Sequence, residues 1–501
     1  MSGLFILVAL SENQIMKKLT VIFLLSSLIG YSQSDRDLSN ESINQATIKS
    51  HIGYLASDEL KGRDTGSPEL KIAAKYIESR FVEYGVKMVS GIDTYFQPVP
   101  MKNTTPPEEG IIKIGEDELK INIDFVALEI GESVSDQPFY FAEYGLPDDL
   151  KKKKVEGKIV FALCGDGENQ NPQEWFEISS KKRAKVKELG GLALVELYNS
   201  TQIPWNLLVR YLGREQTVLD EDGEKTVFHA WLNRSSDELS FLEKKKPVSI
   251  VIDDDKSEKF ISQNIVGFVE GTDPELKNEF VVYSAHYDHV GIGQADDEGD
   301  SIYNGSRDNA VGTVTVLSAA QNIAANPTKR SALFVLFTGE EKGLLGSKYF
   351  VNNSPIPLEK IVYCFNSDNG GYNDTSKATI IGLTRTSAEE MIIEACEEFG
   401  LEAIEDQAPE QGLFDRSDNV RFAAKGIPAP TFSLGFTSFD AEIMKYYHQP
   451  SDEPETLDYD YLEKFFKSYV YACRLIGNAG EAPFWNEGDK YYDAGVKLYK
   501  K

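Results

Sequence analysis

The chain has 501 residues, enough for two or three domains and a large core. Its 41% apolar and 26% charged residues exclude a disordered, collagen-like or polytopic membrane chain. A formal net charge of −28 argues against nucleic acid as a partner.

The first recognisable segment is Met16-Lys17-Lys18 followed by the apolar run Leu19 to Ile29 and small residues at Gly30 and Ser32. A basic start, a short apolar core and a small-residue cleavage point predict an export signal. The run is too short to span a bilayer comfortably, so no stable membrane anchor is expected. The expectation is a product cut after Ser32 and delivered to the periplasm or the cell exterior, with residues 1–15 as a start extension.

Helical spacing follows. Ile48, Ile52 and Leu55 fall on one face, and a second helix is expected from Pro68 to Tyr84 with Ala73, Ala74, Ile77 and Phe81 as its stripe. The loop Lys61 to Ser67 separates them. From about residue 110 to 255 the chain reads as short β-rich runs, at Ile111–Ile114, Lys158–Leu163, Ala193–Leu197 and Val248–Ile252, with a helix over Ser180–Leu189. Beyond 261 apolar strands alternate with helices. Strands are expected at Phe280–Ser284, Leu333–Thr338 and Ile361–Phe365, and helices at Ala310–Ala325 and Gly343–Asn352. That alternation predicts an α/β fold with a mostly parallel twisted sheet flanked by helices, and ligands outside the carboxyl ends of its strands. Cys164, Cys364, Cys396 and Cys473, with no CxxC pair among them, are expected as buried thiols.

The chemistry-bearing residues sit at those strand ends. His286 and Asp288 follow the first strand, Asp308 opens the next helix, Glu340 and Glu341 follow the second strand, and Asp368 follows the third. His448 lies in a late loop. Imidazole and carboxylate donors without cysteine suit zinc. His286 and Asp368 are assigned to one ion, Glu341 and His448 to a second, and Asp308 to a bridge between them. Two Zn²⁺ against three carboxylates leave one positive charge, which a hydroxide would cancel. Asp288 is expected to fix the His286 imidazole. Glu340, beside a metal ligand but not needed as one, is the candidate general base. His51, His229 and His289 are read as structural, with His289 alone close enough in sequence to touch the site.

The segments AHYDHVG, NGSRDNAVGT, FTGEEKGLLGS, NSDNGG and YYHQPSDEP, in this order, resemble the co-catalytic zinc exopeptidases of the leucyl aminopeptidase and glutamate carboxypeptidase group, metallopeptidase clan MH, family 28. Leu55 to Arg63 is similar to that family's N-terminal helix and loop. The stretch from Val155 to Val160 followed by Lys185 to Leu194 resembles an inserted protease-associated domain. The resemblance implies a zinc exopeptidase fold with two zinc ions on His286, Asp308, Glu341, Asp368 and His448, Glu340 as base, and a cis peptide at Asp308–Asn309. It also implies the organisation of the chain: a catalytic domain begun by residues 33–110, interrupted by a β-rich insert over 111–260, resumed over 261–480, and closed by a tail over 481–501. The expected activity is release of chain-terminal residues from peptides, with an aminopeptidase preferred. A carboxypeptidase or dipeptidase is the alternative within the family, and a non-catalytic receptor-like binder the alternative outside enzymes. Two positions depart from the family pattern: Arg307 stands where many relatives have an acid, and Asn419 where they often have His. The extra charge suggests that Arg307 holds a substrate carboxylate.

Overall fold

The computed structural model describes residues 33–500 apart from 90, 92, 169–171, 201, 221–225, 235–245 and 255. The expected export signal lies outside the described residues. The four cysteines are buried and unpaired.

The main sheet has nine strands: β1 Phe96–Thr105, β2 Gln216–Leu219, β3 Lys256–Val269, β4 Phe280–His286, β5 Ser331–Phe337, β6 Ile361–Ser367, β7 Lys377–Ile381, β8 Glu402–Glu405 and β9 Thr431–Leu434. Their spatial order is β8-β7-β9-β6-β4-β5-β3-β1-β2. The centre is parallel, with β5, β4, β6 and β9 running together. Toward the margins the pairing is antiparallel at β3 against β5, β1 against β3, β2 against β1, and β7 against β9, while the edge pair β7 and β8 is parallel. The sheet is therefore mixed, with the parallel character concentrated in the strands that carry the site.

Central strands β4, β5 and β6 are buried along nearly their whole length. Unbroken apolar runs such as FVVYSAH and SALFVLF suit strands covered on both faces. One cover is the helix Gly312–Ala325, which is buried on almost every side. It packs against the helix Tyr459–Asn478 and the helix Pro68–Tyr84. The latter begins where expected because Ser67 Oγ accepts from the Leu70 N–H and Pro68 occupies the first turn. It ends at Gly85, whose φ of +77° is the left-handed cap that glycine adopts freely.

Residues 106–255 leave the sheet from β1 and return through β3. Within them, Phe125–Glu129, Phe228–Asn233, Ala193–Tyr198, Ile159–Leu163 and Phe139–Phe141 form a five-stranded sheet in that spatial order. A four-stranded sheet of Asp117–Lys120, Gly110–Ile114, Val248–Ile252 and Val134–Gln137 packs with it in one apolar cluster that includes Phe125, Phe161 and Phe228. The helix Pro172–Glu188 starts earlier than the expected Ser180. Under it lies a fully buried ionic network: Lys182 Nζ meets Glu196 Oε1 at 2.8 Å and His229 Nε2 meets Glu196 Oε2 at 2.7 Å. The segment is not wholly separate from the main sheet, because it also supplies edge strand β2.

Candidate active site

The register of the parallel strands levels their ends. His286, the last residue of β4, pairs with Phe337, the last of β5, and Ser284 pairs with Asn366 near the end of β6. The loops that follow therefore emerge together at one end of the sheet. His286 is delivered by β4, Glu340 and Glu341 by the turn after β5, and Asp368 by the residue after β6. Gly339, at φ +69°, turns the chain so that the two adjacent glutamates face the same cavity. Asp308 sits in an irregular turn over Ser306–Val311, and the Asp308–Asn309 peptide is cis. Gly305 permits that turn: a Cβ there would meet the Asp308 carbonyl oxygen at 2.3 Å and the His289 ring at 2.5 Å. His448 adopts φ +53°, unusual for a residue with a Cβ.

The side chains converge in two groups that share Asp308. His286 Nε2 lies 3.2 Å from Asp308 Oδ1 and 3.2 Å from Asp368 Oδ1. His448 Nε2 lies 3.0 Å from Asp308 Oδ2 and 3.3 Å from Glu341 Oε2. One oxygen of Asp308 thus faces each histidine. In each group the donor atoms lie within 4.8 Å of one another. Burial opposes charge on the imidazoles, yet Asp368, Glu340 and Asp308 hold His286 well above its ordinary value, and hydrogen bonds to Asp308 and Glu341 carry His448 to about 10. Burial would raise the acids too, but the histidines drive Asp308 well below the usual carboxylate range and Glu341 to about 2. So many buried anions require compensating positive charge, which a divalent cation among these donors supplies as well as protons on the rings.

Glu340 behaves differently from its neighbour. Burial pushes its carboxyl well above the ordinary value; His286 opposes, while Asp368, Glu341 and Asp418 add to the rise. Its backbone is fixed, because the Glu340 N–H donates to Asp288 Oδ1 at 3.3 Å and its carbonyl accepts from the Gly343 and Leu344 amides at 2.9 Å.

Two expectations need correction. Asp288 does not fix His286 through its carboxylate: the hydrogen bond from His286 Nδ1 goes to the Asp288 backbone carbonyl at 3.1 Å, and the nearer carboxylate oxygen is 3.9 Å away. The carboxylate instead accepts from Thr65 Oγ1 at 2.8 Å and from Glu340 N, so it braces the glutamate turn. Arg307 does not reach the cavity. It is 2% exposed and is held by Asp452 Oδ1 at 2.8 Å, by Thr456 Oγ1 at 2.7 Å and by the ring of Tyr446. Its Nε has no partner among the described residues but is buried with the rest of the guanidinium, which is not among the groups that line the cleft.

Two further residues stand at the site: His289, read from sequence as structural but able to touch it, and Tyr447, which was not singled out. His289 is fully buried, and its Nδ1 lies 2.8 Å from Glu341 Oε1, so it holds the glutamate oxygen that His448 does not. Its Nε2 has no hydrogen-bond partner among the described residues. Tyr447 lines the cavity beside His448, with the two rings stacked 4.2 Å apart. Burial raises its phenol far above the usual value, so it is a hydrogen-bond donor across the physiological range. The only signals for either were adjacency to a candidate ligand: His289 three positions after His286, Tyr447 one before His448.

The site opens into a cleft of about 890 Å³. One wall carries Ile381, Leu413, Phe436, Phe439 and Ile443. The segment between β1 and β3 contributes Tyr211, Arg214, Glu215, Gln216 and Thr217 to the lining.

Comparison with known proteins agrees with this construction. Residues 264–472 match peptidase family M28. Aminopeptidase YwaD of Bacillus subtilis (strain 168) is 25% identical over 338 residues, which is 65% of this chain and 64% of that protein's length. A probable leucine aminopeptidase 2 of Aspergillus oryzae is 31% identical over 116 residues, 23% of this chain and 21% of its own. The chain thus spans under two thirds of the curated relatives it matches. Among solved structures, an aminopeptidase from Aneurinibacillus sp. strain AM-1 has a similar fold, with a TM-score of 0.54 at 20% identity over 89% of this chain and 97% of that one.

Proposed function

From the match of residues 264–472 to peptidase family M28 we propose that the chain belongs to that family and that the protein is a zinc aminopeptidase that releases the N-terminal residue of peptides. The observation that carries the reading is the division of Asp308, one oxygen toward His286 and Asp368 and the other toward His448 and Glu341. Two ions would be held here, one by His286 and Asp368 and one by His448 and Glu341, each with an oxygen of Asp308. Bound zinc supplies Lewis acidity: it makes water a nucleophile near neutral pH and polarises the scissile carbonyl.

The chain's own groups do the rest. Glu340 accepts a proton from the attacking water at its carboxylate and delivers it to the departing amine nitrogen. Asp288 keeps the glutamate turn from shifting, and His289 keeps Glu341 oriented. Tyr447 donates its O–H to the oxygen that becomes negative as the carbonyl turns tetrahedral. A free α-amino nitrogen is also a donor that a zinc held here would accept, which is why an aminopeptidase is preferred. Asp288, assigned a catalytic role from sequence, is better described as a positioning residue.

Residues 1–32 are read as a start extension followed, from Met16, by the export signal, and the segment between β1 and β3 as a protease-associated insert. The aminopeptidase reading is tested with chromogenic amides of free and N-acetylated amino acids, together with metal analysis of the purified chain. Release from free substrates only, lost with a chelator and restored by zinc, is expected. Turnover of the N-acetylated set, or of neither set after zinc loading, refutes it.

A further inference from the structure

The floor of the cleft is acidic, but its rim is not. Arg214, Arg416 and Arg421 all line the cleft, and none has a carboxylate within ion-pair distance among the described residues. Arg416 Nη2 donates to Tyr447 Oη at 3.3 Å. Arg421 Nη2 donates to the Gly343 carbonyl at 3.2 Å, and its buried Nε has no partner among the described residues. The rim acids are largely spoken for: Asp64 is paired with Lys342 at 2.7 Å and Asp415 with Lys490 at 3.0 Å. Among the described residues Glu215 has no cationic partner. In a chain of net charge −28, three cleft arginines that form no ion pair among the described residues stand out, with only Arg421 under the charge of a nearby carboxylate, Asp418.

They also come from two sides. Arg416 and Arg421 belong to the segment between β8 and β9. Arg214 belongs to the inserted segment, between the helix Trp205–Leu212 and strand β2. Pairing of β2 with β1, Thr104 opposite Gln216, fixes Arg214 at the cleft edge. A guanidinium offers a planar fork matched to a carboxylate. A cleft of about 890 Å³ is the size that encloses a molecule of a few residues, not a long chain.

Resting on the aminopeptidase reading, we propose that these arginines receive a carboxylate on the leaving side of the scissile bond, so that the cleft selects short peptides with the free amino end at the metal-binding floor and a carboxylate at the basic rim. The inserted segment, through Arg214, is then a specificity element for the reaction. The carboxylate has two sources, a free C-terminus or an acidic side chain in the leaving part, and both present the same chemistry.

The test uses the full zinc-loaded chain and one family of tripeptides that begin with the residue most readily released: the free acid, its C-terminal amide, the amide with aspartate at the second position, and the N-acetylated free acid. The free acid is expected to exceed the amide about tenfold in kcat/KM, mainly through KM, with the ratio shrinking as salt screens the rim. Arg214→Ala and Arg416→Ala each lower that ratio, their combination brings it to about one, and lysine at either position retains part of it. Arg416→Ala also disturbs Tyr447, but that loss falls on acid and amide alike and leaves the ratio as the readout. Recovery of rate in the aspartate-containing amide assigns the carboxylate to a side chain; no recovery assigns it to the terminus. A wild-type ratio of one, or a ratio unmoved in the double variant, overturns the proposal. Cleavage of the N-acetylated peptide refutes the aminopeptidase reading instead, while the acid-to-amide ratio still judges the rim.

Discussion

Replacing Glu340 by glutamine separates the chemical step from everything else the site does. The side chain keeps its size, and the backbone around it is held by three hydrogen bonds that the substitution does not touch: one from its own N–H to Asp288, two to its carbonyl from Gly343 and Leu344. No metal-facing donor is lost, since the two groups of converging donor atoms do not include Glu340. What disappears is one proton acceptor. Loss of a positioned general base costs about 10²–10⁴ in rate, or about 2.7–5.5 kcal/mol of transition-state stabilisation. The stability effect has the opposite sign. Glu340 is buried among Asp368, Glu341 and Asp418, which disfavour its ionised form, so the glutamine variant without metal is expected to melt no lower than wild type. The assays are kcat on a chromogenic aminoacyl amide, zinc content, and melting temperature with and without chelator. A variant that keeps more than about a tenth of wild-type kcat, or one that loses its zinc, would refute the reasoning.

Asp308→Asn weakens both clusters, because each oxygen of the carboxylate serves a different one, whereas Asp368→Asn weakens only that of His286; zinc content is expected to fall toward zero in the first and to about half in the second. In the inserted segment, burial alone would raise Glu196, but the hydrogen bond from His229 and the charges of His229 and Lys182 lower it to about 2. A depressed carboxylate stabilises fully above its unfolded value near 4.5 and loses that contribution as pH falls through about 2, so the segment is expected to lose stability over that window. Glu196→Gln removes this acid dependence and, by leaving Lys182 buried without its counter-ion, costs about 3–5 kcal/mol at neutral pH; pH-dependent melting of the two proteins checks both signs.

Much of this was legible because the site is built from strand ends. Continuous apolar runs announced β4, β5 and β6, and the acids and histidines just after each run had only one end of the sheet to occupy. Helix Pro68–Tyr84 carried its own punctuation in Ser67, Pro68 and Gly85. Strand β1 escaped notice because Pro98 and Pro100 argue against a strand. They are tolerated because β2 pairs only with Met101 to Thr104, so no donor is asked of either proline; beside Pro100 it is the carbonyl that is used, accepting from the Asp220 N–H at 2.9 Å. The Asp288 orientation failed for a local reason: alternation along a strand places residues 286 and 288 on one face, but β4 ends at His286, and the chain turns before Asp288. Arg307 failed for a distant one. Its partners, Asp452 and Thr456, are about 145 positions away, and no local pattern reveals that a cation will be enclosed by a loop so remote.

The pairing of β1 with β3 runs over ten residues on each strand, from Phe96 opposite Ile265 to Thr105 opposite Lys256. About 150 residues depart and return at the far end of that ribbon. Bringing the ends of a flexible loop of such length together costs about 4 kcal/mol in chain entropy, beyond a constant term. If the intervening segment has already collapsed on its own two sheets, its ends arrive as neighbours and the ribbon closes at little entropic cost. Completion of the main sheet is then coupled to prior condensation of the intervening segment, and damage confined to that segment's core would surface as slow or failed assembly of the candidate site at the ends of β4, β5 and β6.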